Sequence, residues 1–170
     1  TVAALGLSRR NMPFKGTIMA ILISPMIVPL IITSAGMFFF YSKVGLTHTY
    51  LGLILAHTAL GTPFVVITVT ATLTGFDTNL IRASQSLGAD TMRTFFKVIM
   101  PLILPGVISG ALFAFITSFD EVVIVMFMAS LDQLTIPKQM WAGIRQEISP
   151  VILCMATCLV ILSIFLLTTV

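Results

Sequence analysis

Long apolar stretches dominate the chain, and they predict helices that cross a lipid bilayer. Four stretches without Asp, Glu, Lys or Arg cover residues 16–42, 44–76, 98–119 and 148–170. Their lengths are 27, 33, 22 and 23 residues, and about 20 apolar residues span the hydrocarbon core. The pattern therefore predicts an all-α fold, a polytopic integral membrane helix bundle. The predicted spans lie near 17–41, 50–74, 100–128 and 149–170.

Composition strengthens this interpretation and sets the domain organisation. Hydrophobic residues make up 58% of the 170 residues and charged residues 9%, whereas soluble domains carry about 25% charged residues. An ordinary soluble domain is therefore excluded. We expect a single transmembrane domain over 1–170. We also expect it to be a segment of a longer protein, because it starts at Thr1 and ends at Val170 inside an apolar run.

The basic residues orient the predicted spans. Six of the nine lie in two segments, 9–16 and 75–98, and three lie in the other connections. The positive-inside rule therefore places 9–16 and 75–98 in the cytoplasm. This topology accounts for the net charge of +3. The basic residues are few and scattered, so we do not expect a nucleic-acid partner.

The cytoplasmic loop 75–98 contains a short amphipathic pattern. Leu80, Ala83, Ser84 and Leu87 recur at helical spacing and would share one weakly apolar face. Such a helix can rest on lipid, or it can dock into a groove on a soluble partner. Both alternatives are open on the pattern alone.

Local signals give this helix its ends. Asp77 or Thr78 can cap its start, and Gly88 is placed to end it as a C-terminal glycine. Asp90 can cap a second helix that leads into the next span. The loop is therefore predicted as a helix, a glycine bend and a second helix.

The same loop carries a family motif. It reads RASQSLGA at residues 82–89, and VIMP follows at 98–101. This string resembles the signature loop of binding-protein-dependent ABC importer permeases, which runs Glu-Ala-Ala, three residues, Gly, nine residues, Ile-x-Leu-Pro. The spacing agrees throughout. Two residues depart from the pattern, since Arg82 stands for the glutamate and Ser84 for the second alanine.

The resemblance implies the type I ABC importer transmembrane-domain fold and a role for the loop. Residues 79–88 would be the coupling helix that inserts into a cytoplasmic ATPase subunit. The residues implied in ATPase coupling are Leu80, Arg82, Ala83, Ser84, Leu87, Gly88 and Ala89. Because Arg82 replaces the glutamate, a carboxylate contact at that position cannot be made.

The resemblance also implies partners and a location. A permease of this kind works by alternating access in the bacterial inner membrane. It pairs with a second permease subunit, identical or different, with two ATPase subunits and with an extracytoplasmic solute-binding protein. The chain contains no G-x-x-x-x-G-K-[ST] phosphate loop. We therefore expect no cofactor on this chain, with ATP and Mg on the partner ATPase, and no enzyme activity of its own.

Two adjacent carboxylates interrupt the third predicted span. Asp120 and Glu121 lie in the stretch SFDEVVIVMF, far from its cytoplasmic end. Carboxylates within a membrane face a bundle interior or a watery cavity. They can form a cation site on the substrate pathway, or they can mark a helix end at the interface. Adjacent residues point about 100° apart on a helix, so only one need face the pathway, and we favour Asp120.

The cargo is suggested by a narrower resemblance. The SFDEVVIVMF stretch, with IPKQMW at 136–141 and IRQEISP at 144–150, resembles the spermidine/putrescine branch of the family. Trp141 could offer a cation–π surface to a polyamine, or it could anchor the chain at the membrane interface. Alternative cargoes are an amino-acid derivative, an opine or a metal complex. A second alternative is a sensor or scaffold that binds an ATPase without transport.

The sequence contains no pattern typical of a catalytic site or a metal site. No nucleophile stands in a pattern with a base, so we predict no catalytic residue. Cys154 and Cys158 share a helix face, but two ligands do not make a metal site. We therefore predict no metal site either.

Overall fold

The computed structural model describes residues 2–9, 12–146 and 149–168, and this part of the chain is helical without strands. The predicted all-α fold class is therefore confirmed. The helices lie in chain order as α1 (Val2–Ser8), α2 (Lys15–Ile27), α3 (Leu30–Lys43), α4 (Tyr50–Thr74), α5 (Asn79–Ser86), α6 (Thr91–Phe119), α7 (Val123–Met128), α8 (Ile136–Gln146) and α9 (Pro150–Thr168).

Among the described residues, three helices are long and apolar enough to cross a membrane. These are α4, α6 and α9. The pair α2 and α3 makes a fourth candidate if it is taken as one broken span. Helix α4 has the bounds predicted for the second span, 50–74, and α9 lies within the predicted 149–170.

The first predicted span is divided. The sequence predicted one helix near 17–41, but α2 and α3 meet at a bend of 105°. Val28 is extended there (φ −72°, ψ 135°), as expected for a residue that precedes a proline. Each half has 13 or 14 residues, or about 20 Å, which is short of the roughly 30 Å core.

A second proline in this segment is accommodated inside α2. Pro25 has no N–H, so it cannot donate to the carbonyl of Ile21 four residues earlier. The hydroxyl of Ser24 donates to that carbonyl instead, at 2.8 Å. The helix therefore continues past Pro25 and ends only at Ile27, just before Pro29.

The third predicted span has different bounds from those expected. The sequence predicted 100–128, but α6 begins at Thr91 and ends at Phe119, and the separate helix α7 begins at Val123. The early start follows from Asp90, whose carboxylate accepts the Arg93 N–H at 2.7 Å. One π-helical turn, Phe95–Ile99, lies near the start of α6. Asp120 and Glu121 therefore lie at a helix break and not within a continuous span.

Glycines bring α4 and α6 into close contact, and this pair forms the centre of the bundle. A Cβ added at Gly110 would overlap the Thr68 hydroxyl and lie 3.0 Å from the Val65 Cα. One added at Gly61 would lie 3.0 Å from the Ala114 Cβ. Helices in membranes associate through such small residues because the backbones can then approach closely.

Two buried clusters flank this contact. One contains Ala4, Val69, Leu73 and Ile103 and joins α1, α4 and α6. The other contains Ala56, Leu60, Ile124 and Met128 and joins α4 to α7. In contrast, none of the described residues of α9 is buried, as expected for a helix that faces lipid or a partner.

Candidate functional site

The loop helix predicted for coupling is present as α5, Asn79–Ser86. Of the two candidate caps, Asp77 is the one that acts, because its carboxylate accepts the Asn79 N–H at 2.9 Å. Thr78 makes no side-chain cap. The start of α5 is therefore set by an Asp side chain that bonds its own local backbone, as Asx turns do.

Gly88 ends α5 as the sequence predicts. Its φ is +82°, a left-handed conformation that glycine adopts without a steric penalty. The Gly88 N–H donates to the Gln85 carbonyl at 3.0 Å, and the Ala89 N–H donates to the Ser84 carbonyl at 3.1 Å. This pair of bonds is a Schellman motif. Asp90 then caps α6, so the glycine bend joins two capped helices.

The outer surface of α5 is largely open. Leu80 and Leu87 are 42% and 89% exposed, and Arg82, Ala83 and Gly88 are exposed as well. Ser84 and Ala89 are half-buried. The predicted apolar stripe is therefore only partly correct, since Ser84 turns toward the rest of the chain. Exposed leucines beside a charged residue suit a docking surface, but the role of these residues stays a prediction.

The carboxylates of Asp120 and Glu121 have different environments. Glu121 is 5% exposed, and both its oxygens accept the Ile124 N–H at 2.9 Å, while one also accepts the Val125 N–H at 3.3 Å. A carboxylate at a helix start satisfies free N–H groups and the helix dipole. Glu121 therefore caps α7. Asp120 is exposed, and its carboxylate makes no hydrogen bond or ion pair with the described residues.

The two helix breaks face each other across a cavity of about 680 Å³. One wall is the α2–α3 break, from Pro25 to Leu30, and the other includes Asp120, Glu121 and Val122 at the α6–α7 break. Helices α2 and α6 end here with partial negative charge, whereas α3 and α7 begin here with partial positive charge, and Glu121 offsets that of α7. The unpaired Asp120 carboxylate then leaves the cavity with a net negative charge, which suits a cation.

A larger cavity of about 920 Å³ lies between α4, α6 and the loop before α8. It is mostly apolar, and its polar groups include His57, Ser118 and Asp132. His57 Nδ1 and Ser118 Oγ lie 2.8 Å apart and join α4 to α6. Sequence reasoning missed Ser118 and Asp132 as cavity residues. The position of Ser118 two residues before Asp120 was the available signal for this residue.

The threonines that line this cavity contribute less polarity than their number suggests. Thr58 donates its hydroxyl to the Ile54 carbonyl, and Thr62 donates to the Thr58 carbonyl, both at 2.7 Å. Hydroxyls bonded back to their own helix offer only their remaining lone pairs to a ligand. His57, Ser118 and Asp132 are therefore better placed than Thr58 and Thr62 to contact a solute in this cavity.

Trp141 stands apart from both cavities. It lies on α8 and is 47% exposed, and the Arg145 guanidinium carbon lies 5.7 Å from its ring centroid. This distance is within the range of a cation–π contact. The structure therefore gives the ring a cationic neighbour from its own helix and does not bring it together with Asp120.

The fold and these surfaces define a class of protein. It is a multi-pass membrane protein with two broken helices that face a cavity, and with a short exposed helix between two spans. The chain belongs to the family described as "Binding-protein-dependent transport system inner membrane component", whose match covers residues 1–170. Membership of this family places the chain in the bacterial inner membrane.

Relatives of named function are similar along most of the chain. The spermidine/putrescine transport system permease protein PotC of Haemophilus influenzae is 29% identical over 97% of this chain and 64% of its own length. PotC of Escherichia coli is 28% identical, with 96% and 62% covered. The putrescine transport system permease protein PotI of Escherichia coli is 29% identical, with 92% and 58% covered. The chain thus spans less than two thirds of these relatives.

Proposed function

We propose that the chain is the permease subunit of an ATP-driven importer that carries a polyamine such as spermidine or putrescine. The observation that carries the proposal is the similarity of more than nine tenths of the chain to three permeases named for these solutes. The second permease subunit, identical or different, would complete the pathway. A solute-binding protein would deliver the solute from outside.

ATP hydrolysis would take place on the partner ATPase subunits, which hold ATP and Mg. The support is the absence of a phosphate-loop motif in the sequence and the exposed surface of α5. Leu80 and Leu87 offer apolar anchors of the kind that seat a helix in a groove. The chain itself would move solute without breaking a bond.

The chemistry of a polyamine fits the cavity between the two helix breaks. A polyamine is a flexible polycation, and the unpaired Asp120 carboxylate and the carbonyls at the ends of α2 and α6 can accept hydrogen bonds from its ammonium groups. Discontinuous helices supply cation sites in other transporters for the same reason. We therefore place Asp120 on the substrate pathway and give Glu121 a supporting role there as the cap of α7.

The proposal is tested with the full-length transporter in proteoliposomes. ATP-dependent uptake of labelled spermidine is measured, with putrescine, an amino acid and a ferric chelate as competitors. We expect putrescine to inhibit spermidine uptake, and we expect no inhibition by the amino acid or the ferric chelate. Uptake of another solute, or ATPase stimulation by a loaded binding protein without any uptake, would contradict the polyamine permease.

Asp120→Asn is expected to lower the apparent affinity for spermidine at least tenfold, because it removes the unpaired negative charge of the cavity. Glu121→Gln is the matched comparison. It weakens a buried cap on α7, and we expect a lower unfolding temperature with a smaller change in affinity. The measurements are KM for uptake and the thermal unfolding midpoint. Equal effects of the two changes on KM would argue against a separate role for Asp120.

A further inference from the structure

A hydrogen bond between two side chains ties α5 to the start of α6. Ser84 Oγ and Thr94 Oγ1 lie 2.8 Å apart, although the residues are ten positions apart in the chain. Thr94 is only 2% exposed, and Ser84 is half-buried. A bond shielded from water in this way is stronger than the same bond at a surface, because water does not compete for its atoms.

The connection between α5 and α6 is short, and hydrogen bonds define the helix end on each side of it. The Schellman motif at Gly88 ends α5, and the Asp90 carboxylate caps α6. The Ser84–Thr94 bond spans the two sides of this bend. Gly88 is the one position of the bend with a left-handed φ, and its open surroundings leave it free to flex when the helices are not held together.

The position of Thr94 means that this bond attaches α5 to the helix that runs into the membrane. Thr94 directly precedes the π-helical turn Phe95–Ile99 of α6, and such turns occur often at functional sites. Leu80 on α5 and Leu87 directly after it are exposed, and no residue of α5 is fully buried, so apolar packing holds this helix only weakly to the rest of the chain. The polar bond is thus an important attachment of α5 to the long helix that runs into the membrane.

We propose that Ser84 and Thr94 form a clamp that makes α5 and the first turn of α6 move as one body. The proposal rests on the proposed function, in which an ATPase subunit displaces α5. When the Ser84–Thr94 hydrogen bond is formed, displacement of α5 also displaces the start of α6. When the bond is broken, the backbone rotates at Gly88 and α6 stays in place. Both residues are positioning residues, since neither touches the solute.

The experiment uses the full-length transporter with its ATPase subunits. Ser84→Ala and Thr94→Val each remove one hydroxyl, and the double variant removes both. Ser86→Ala is the matched control, because Ser86 lies on the same helix and its hydroxyl donates only to the Arg82 carbonyl, at 3.0 Å. Ser84→Thr keeps a hydroxyl at the clamp. Two quantities are measured: ATP hydrolysed per solute taken up, and amide hydrogen exchange over residues 79–94.

The clamp predicts a specific set of results. Ser84→Ala and Thr94→Val should each raise the ATP used per solute at least fivefold. They should also speed amide exchange in α5 by about tenfold, the size expected for loss of one buried hydrogen bond. The double variant should be no worse than either single variant. Ser86→Ala should behave as the unsubstituted protein, and Ser84→Thr, which keeps a hydroxyl, should be less impaired than Ser84→Ala.

Other results separate failure of the clamp from failure of the proposed function. Normal coupling in Ser84→Ala and Thr94→Val would overturn the clamp and leave the polyamine permease intact. Absence of uptake in the unsubstituted transporter would refute the proposed function. In that case amide hydrogen exchange still tests whether the clamp exists, and unchanged exchange in both single variants would overturn it.

Discussion

Replacing Gly110 by valine is expected to force α4 and α6 apart and to destabilise the whole bundle. A Cβ at this position would overlap the Thr68 hydroxyl and meet the Val65 Cα at 3.0 Å. The hydroxyl can rotate away, but the Val65 backbone belongs to α4 and can yield only if the helix moves. We expect a loss of about 3 kcal/mol, the upper end of the range for overpacking.

The measurement is the thermal unfolding midpoint of the purified full-length transporter in one detergent. Gly36→Val is the matched control, because Gly36 also lies inside a helix, α3, and nothing lies within 4 Å of its added Cβ. We expect a clear fall in the midpoint for Gly110→Val and little change for Gly36→Val. Equal midpoints would mean that the close approach at Gly110 does not support the fold.

Gly88→Pro is expected to uncouple ATP hydrolysis from transport. Proline holds φ near −65°, whereas Gly88 needs +82°. The change also removes the N–H that donates to the Gln85 carbonyl, and it disfavours the helical conformation of Leu87. The Schellman motif is therefore lost, and α5 no longer meets α6 at a defined angle. We expect uptake to fall at least tenfold while ATP hydrolysis stays within about twofold.

Two further variants serve as controls for Gly88→Pro. Gly88→Asn should be milder, because asparagine tolerates the left-handed region better than most residues. Gly75→Ala changes a glycine at the other end of the loop, where φ is −87° and any residue is accommodated. Both should retain most uptake. If Gly88→Pro kept normal uptake as well, α5 would not be the coupling helix.

The features that local rules govern were predictable from the sequence. Gly88 and Asp90 act where they were expected, because a left-handed helix end and a side-chain cap depend on neighbours a few residues away. The bounds of α4 also follow from the run of apolar residues between Tyr50 and Thr74. The ends of these elements depend little on distant contacts.

Three other features could not be predicted, because the local sequence is compatible with more than one outcome. Pro63 and Pro105 lie inside helices that continue through them, whereas Pro29 stands at a 105° bend, so proline alone does not locate a break. Asp120 and Glu121 are adjacent, and only the return of the Glu121 carboxylate to α7 separates their roles. The Ser84–Thr94 bond joins residues ten positions apart on two different helices, and no repeat in the sequence indicates that they meet.

The length of α6 makes the loop that carries α5 sensitive to bilayer thickness. At about 1.5 Å per residue, the 29 residues of α6 extend about 44 Å, which exceeds the roughly 30 Å of the hydrocarbon core. Arg93 and Lys97 near the start of α6 favour the headgroup region, so the excess length lies at the end that adjoins α5. A thicker membrane would cover more of this end with lipid, and hydrophobic mismatch would then change how far α5 stands from the membrane surface.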